Sequence, residues 1–171
     1  WLNIPIEPVT DFYTAVDVQL LSGPNSTGYG IVFRGNSSPG EFYEFAVSEY
    51  HQFSVFMHRR GSWTSLIDWK DDSRIKVGGT NRLAVKAEGD HFTFYINGRR
   101  VADVVDDTLD RGEVGLSIEV YDESAEMILA FDNVEVRLPP GVESSMGEAE
   151  SMFLEEDYDG ALAKYEQALQ L

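Results

Sequence analysis

Cysteine is absent from all 171 residues, so neither a disulfide framework nor a cysteine-ligated metal centre can form. Long apolar runs are missing too. None approaches the ~18 residues of a membrane span, so this segment is not expected to insert directly into a membrane. Basic residues are scarce, 13 Lys and Arg against 30 Asp and Glu, for a net charge of -17. A surface this acidic repels phosphate backbones and anionic lipid headgroups, which argues against nucleic acid and membrane surfaces as partners. Cations and basic proteins remain as partners. The three histidines, His51, His58 and His91, are scattered, with no two at helix-ligand spacing. No Gly-x-Ser-x-Gly elbow and no phosphate loop occurs. An initiator Met and a signal-peptide pattern are also lacking: the chain starts at Trp1 and stops at Leu171 inside a periodic segment. Both ends look cut, and a piece of a longer protein is expected.

What is present points to a packed core. Hydrophobic residues make up 43% and aromatics 12%, too much for a disordered chain. Short apolar-rich runs alternate with turn residues over residues 11–137. Tyr43, Phe45 and Val47 fall on one face of the run Phe42 to Ser48, with Glu44, Ala46 and Ser48 on the other. Phe53, Val55 and Met57 share a face, as do Val114, Leu116, Ile118 and Val120. Asn97-Gly98 separates two extended runs and signals a tight hairpin. About ten short strands with glycine-rich turns imply an all-β, two-sheet antiparallel sandwich spanning residues 1–138.

The pattern changes after Pro139-Pro140-Gly141. Residues 139–144 read as a linker. From residue 139 on, eight acidic residues stand against one basic. Ala161, Tyr165, Ala168 and Leu169 recur at helical spacing, and a preceding helix is expected over Ser145 to Leu154. Residues 145–171 thus read as a short C-terminal α-helical hairpin. Met152, Phe153, Leu162, Tyr165 and Leu169 would lie on its apolar stripes. Such a pair cannot bury its stripe alone, so it is expected to bind a protein partner or the same tail of a second copy, giving a homodimer.

Two resemblances follow from these segments. Asn81-Arg-Leu-Ala-Val-Lys-Ala-Glu-Gly89, Phe94-Tyr-Ile-Asn-Gly98, Gly112-Glu-Val-Gly-Leu116 and Phe131-Asp-Asn-Val134 resemble the concanavalin A-like jelly rolls. The similarity is greatest to the laminin-G-like and 3-keto-disaccharide-hydrolase-like domains of bacterial proteins. Tyr29-Gly-Ile-Val-Phe-Arg34 and Trp63-Thr-Ser-Leu-Ile-Asp-Trp69 fit the same pattern. Asp157-Tyr-Asp-Gly-Ala161, Tyr165 and Ala168-Leu-Gln-Leu171 resemble the second half of a tetratricopeptide repeat, and an array is expected to continue beyond it. These resemblances imply a non-catalytic recognition or spacer module of a larger bacterial protein, carbohydrate-binding and displayed outside the cytoplasm or at the cell surface. A glycoside-active hydrolase of the keto-disaccharide type and a structural module orienting the repeat array are the alternatives.

Three kinds of chemistry bear on these residues. The Glu-x-Asp-x-x-Glu strand of jelly-roll glucanases would place acid and nucleophile on one face. Glu119-Val-Tyr-Asp122-Glu123 has the wrong spacing, and Glu88-Gly-Asp90 ends in a turn, so no catalytic residue is assigned. Structural calcium is expected at Asp132 and Asn133, because jelly rolls of this kind often hold one such ion with oxygen ligands. Asp106, Asp107 and Asp110 form a second acidic cluster, equally readable as turn chemistry. Glu155, Asp157, Asp159, Gly160 and Glu166 mimic an EF-hand loop, but position 1 is Glu and the repeat explains more residues. Finally, Trp63, Trp69, Tyr50, His51 and Arg59 lie in adjacent strands and loops and could present a sugar-binding surface. Alternatively Trp63 and Trp69, in phase with Ser65 and Ile67, are core. Asn25-Ser26-Thr27 and Asn36-Ser37-Ser38 are glycosylation sequons, triplets that chance often produces.

Overall fold

A computed structural model describes residues 1–119 and 126–139. The helical hairpin expected over residues 145–171, with its apolar stripe and repeat motif, lies outside the described residues. Contacts divide the chain into two units, Trp1–Val136 and Arg137–Leu171. The first contains the site discussed below.

Eleven strands occur among the described residues. They are β1 (Leu2–Asn3), β2 (Phe12–Ser22), β3 (Gly28–Asn36), β4 (Glu41–Ser48), β5 (Gln52–Arg59), β6 (Ser62–Asp71), β7 (Asn81–Glu88), β8 (His91–Ile96), β9 (Arg99–Val105), β10 (Glu113–Glu119) and β11 (Ile128–Arg137). They form a six-stranded sheet, β1-β10-β3-β4-β5-β6, and a five-stranded sheet, β11-β2-β7-β8-β9. All the registers described are antiparallel. This is the expected two-sheet sandwich, with two differences in detail. β1 was not legible, because two residues carry no alternation. From the sequence the closing segment reads as two strands, Met127 to Phe131 and Val134 to Arg137, but it is one strand that passes through Asn133 at a φ of 49°.

The turns obey backbone sterics. Arg60-Gly61 and Asn97-Gly98 each have two successive positive φ angles, as the favoured two-residue hairpins require. Between the sheets, alternation buries one face of each strand. Ile31, Phe33, Phe45 and Val55 from the six-stranded sheet meet Leu83, Val85, Phe92 and Phe94 from the other, all with almost no exposure. Phe33 lies 5.2 Å from Phe92, and Phe45 lies 5.0 Å from Phe94, ring centre to ring centre. Each such side chain contributes about 1.5–3 kcal/mol by leaving water.

Several polar groups at the margins of this core find strong hydrogen-bond partners. The Tyr29 hydroxyl donates to Glu49 at 2.6 Å, and the hydroxyl of Tyr43 donates to Asp106. Burial, with these carboxylate partners, raises both phenol pKa values. Arg34 is 2% exposed. Its guanidinium donates to the carbonyls of Leu109, Thr10 and Gly89 and sits 4.7 Å over the Phe92 ring. One side chain thereby ties three loops to the end of β3. Gly112 lies against this point, where a Cβ would run into the Arg34 and Gly35 backbone.

Candidate functional site

The other face of the six-stranded sheet has a different chemistry. Because Tyr43, Phe45 and Val47 point inward, Phe42, Glu44, Ala46 and Ser48 point outward along β4. Register then brings Val32 and Phe56 beside Glu44, Ser54 beside Ala46, and His58 beside Phe42. On β10, Ser117 and Glu119 stand opposite Gly30 and Gly28 of β3. The absence of side chains on these glycines leaves room over β3. A Cβ on Gly28 would come within 2.7 Å of the Glu119 carboxylate, so that carboxylate rests over the bare backbone.

Val32, Phe42, Glu44, Phe56, Ser117 and Glu119 of this face line a cleft of about 530 Å³. Its walls are Trp1, Phe42 and Trp63, and its acidic part is formed by Glu44, Ser117 and Glu119. Trp63 and Trp1 are 56% and 42% exposed, unusual for tryptophan on an ordered sheet. Trp1 meets Phe42 edge-on at 4.5 Å, and Phe42 meets Trp63 edge-on at 5.6 Å. Phe56 extends the aromatic series from Trp63 to Trp69.

Glu44 is the anomaly in this setting. It is 2% exposed, and its Oε1 has no hydrogen-bond partner among the described residues. Ser54 Oγ, in the adjoining row, is likewise buried without one. Burial pushes the Glu44 carboxyl up to about 8, and the neighbouring Glu119 charge pushes the same way. Burial beside a second carboxyl group thus favours the protonated form of Glu44, which can donate a hydrogen bond. Among the described residues neither Lys nor Arg lines the cleft. A buried polar atom without a partner costs stability, and such costs are tolerated where a ligand supplies the missing bond.

The residues expected from the sequence to bind sugar are dispersed. Trp63 lies in the cleft, and Trp69 flanks it against Phe56, half-buried. The core alternative for these tryptophans does not hold, because register shifts between β5 and β6 break the alternation on which it relied. Tyr50 and His51 occupy the β4–β5 turn, at the opposite end of β5 from Trp63, about 20 Å away at ~3.3 Å per residue. His51 bonds the Ile75 carbonyl through Nδ1. Arg59 falls in phase with inward-facing Met57 and pairs with Glu41 at 3.6 Å. The residues that reading missed are Glu44, Glu119, Phe42 and Trp1. Alternation alone already separated Glu44 from the core face. Its pairing with Glu119, 75 positions away, depends on strand order, which a search within single strands cannot see.

Around Asp132 and Asn133 a guanidinium takes the central place. Arg82 donates to the Asn133 carbonyl at 2.6 Å and pairs with Asp17 and Glu135. The Asn133 side-chain amide donates to Asp17, and the Asn133 backbone amide donates to Asp132. Asp106 accepts from Tyr43 and from the Thr108 amide, the turn chemistry of that cluster. Among the described residues, no three of His, Asp and Glu are grouped so as to hold a metal ion.

Comparison with known proteins places this geometry in context. The family model for the 3-keto-alpha-glucoside-1,2-lyase-like domain matches residues 3–137. No curated protein matches the chain. Among solved structures, the carbohydrate binding module CBM66 from Bacillus subtilis superposes with a TM-score of 0.64 at 23% identity, covering 77% of each chain. Sheep galectin-11, solved in complex with glycerol, gives 0.57 at 10% identity over 77% of this chain and 93% of its own. A mutant of the GH43 protein BlXynB from Bacillus licheniformis gives 0.60 at 15% identity, over 77% of this chain and 28% of that one. At these identities the likeness shows the fold, a concanavalin A-like jelly roll.

Proposed function

The chain belongs to the 3-keto-alpha-glucoside-1,2-lyase-like domain family, and from that premise we propose that the outer face of its six-stranded sheet binds carbohydrate. One observation carries the reading: exposed Trp63 and Trp1 flank a cleft containing the buried, incompletely bonded Glu44. A sugar ring has apolar C–H faces and a rim of hydroxyls. The indole walls suit its faces, and the two carboxyl groups suit its rim. The cleft volume falls within the range of small-ligand sites, about 300–1,000 Å³. The structural neighbours named as a carbohydrate binding module and a galectin support the same reading. In a larger protein the domain would act as a recognition module. A glycan array followed by calorimetry tests the proposal. Binding to at least one glycan is expected, with at least a tenfold loss in W63A and an unchanged circular dichroism spectrum. Equal binding by the wild type and W63A, or none by either, contradicts it.

A second reading has one observation in its favour. Glu44 and Glu119 line one cleft, with burial raising the Glu44 carboxyl, and acid–base chemistry at a glycosidic carbon could use such a carboxyl pair. Release of product from glycosides and 3-keto-glycosides, abolished in E44Q, would support catalysis. Binding without turnover would leave recognition alone.

A further inference from the structure

The cleft does not end at its aromatic wall. A second, shallower cavity of about 600 Å³ lies across it, and Trp1, Phe42 and Trp63 line both. The second cavity is polar in a different way, being lined by Asn3, Ser37 and His58. Its groups are held in place before any ligand arrives. Asn3 Nδ2 donates to Glu113 at 2.7 Å, and Ser37 Oγ donates to the same oxygen at 2.8 Å. His58 Nδ1 lies 2.7 Å from the Gly40 carbonyl. A carbonyl only accepts, so Nδ1 carries the hydrogen and Nε2 of the neutral ring is left as an acceptor. His58 also packs on Phe42 and Trp63, at 5.3 and 4.9 Å, which fixes the ring plane.

Two preorganised polar basins thus share one aromatic ridge. We infer that the ligand is a neutral glycan of at least two rings, one in the Glu44–Glu119 basin and the next across the ridge beside His58. This rests on the carbohydrate reading and specifies its ligand. The ring in the first basin must carry no negative charge, because among the described residues that basin holds two carboxyl groups and neither Lys nor Arg. A uronic acid there would place a carboxylate against Glu119 in a poorly solvated site. The ridge explains why two rings are needed. Phe42 stands between the tryptophans and belongs to both basins, so a single ring can use only one side of it.

Calorimetry on the full chain tests this, with glucose, xylose, galactose and fructose and their neutral di- and trisaccharides. Uronic-acid disaccharides are the charged counterparts. A gain of at least tenfold is expected from one ring to two, with less than threefold more from two to three. The uronic-acid disaccharide should bind at least tenfold more weakly than the neutral one. H58F keeps an aromatic ring and removes Nε2. It should cut the gain from one ring to two at least threefold. Single rings binding as tightly as disaccharides would overturn the inference while leaving the carbohydrate reading intact. So would an undiminished gain in H58F, or equal binding of the charged disaccharide. No binding by any glycan would overturn both.

Discussion

The two faces of the six-stranded sheet are made by the same strands and obey opposite rules. On the inner face, polar groups that enter the core are tied by strong partners: Tyr29 has Glu49, Tyr43 has Asp106, and the terminal nitrogens of Arg34 have three carbonyls, while its Nε has no partner among the described residues. On the outer face, Glu44 is as thoroughly buried as those groups, yet one of its oxygens lacks a partner among the described residues. Folding alone would favour an apolar residue beside Val32 and Phe56. On the proposed reading the difference separates residues that maintain the sandwich from residues that bind a ligand, and mutations on the two faces should separate accordingly.

The largest effects should come from the inner face. Arg34→Met leaves three carbonyls without their donor and is expected to cost about 3 kcal/mol or more in urea denaturation. Phe45→Ala opens a cavity between Phe53 and Phe94 and should cost about 3–5 kcal/mol. A cost below about 1 kcal/mol for both would erase the distinction between the faces. Trp63→Ala, on the outer face, should cost about 1 kcal/mol or less while removing glycan binding, because its ring is largely in water already.

A subtler effect should distinguish Glu44, and its sign runs against intuition for a carboxylate-rich protein. Burial and Glu119 raise its folded pKa from the ordinary carboxyl value of 4.5 to about 8, with the Ser117 hydroxyl opposing. Between those values the folded chain keeps a proton that the unfolded chain has released. Glu44 therefore lowers stability as pH rises through that window, by up to about 1.4 kcal/mol per pH unit, with no further loss above about pH 8. E44Q keeps an N–H donor toward Glu119 and cannot ionise. Its stability advantage over the wild type should be small near pH 5 and grow toward pH 8 in paired denaturation curves. A constant or shrinking difference would show that Glu44 is not a buried acid. The smallest effect should be at Arg82, which is partly exposed beside Asp17 and Glu135. Arg82→Ala is expected to cost about 1 kcal/mol or less, since surface ion pairs are screened.

Much of this organisation was legible in the residues. Alternation in Phe42–Ser48 and Phe53–Met57 identified the core faces, and Asn97-Gly98 identified a hairpin. Alternation also set Glu44 apart from Tyr43 and Phe45. What it could not supply was which strands are neighbours. Strand order brings β10 beside β3, and only then do Glu119 and Glu44 meet above Gly28 and Val32. Grouping Tyr50 and His51 with Trp63 failed for the same reason. Short separation along a hairpin can still span a whole strand when the residues lie at opposite turns. Trp1 contributes through β1, whose two residues carry no periodic signal.

The central claim is that the outer-face cleft between Trp1, Trp63 and Glu44 is the binding site. The most direct test is a two-dimensional NMR titration of the full chain with the best neutral glycan from the array, following the three indole N–H signals and the backbone amides. The account predicts saturable shifts at the Trp1 and Trp63 indoles and at the amides of Phe42, Glu44 and Ser117. The amides of Tyr50 and His51 should stay still. Saturable shifts confined to Tyr50 and His51, or to the five-stranded sheet, would contradict it.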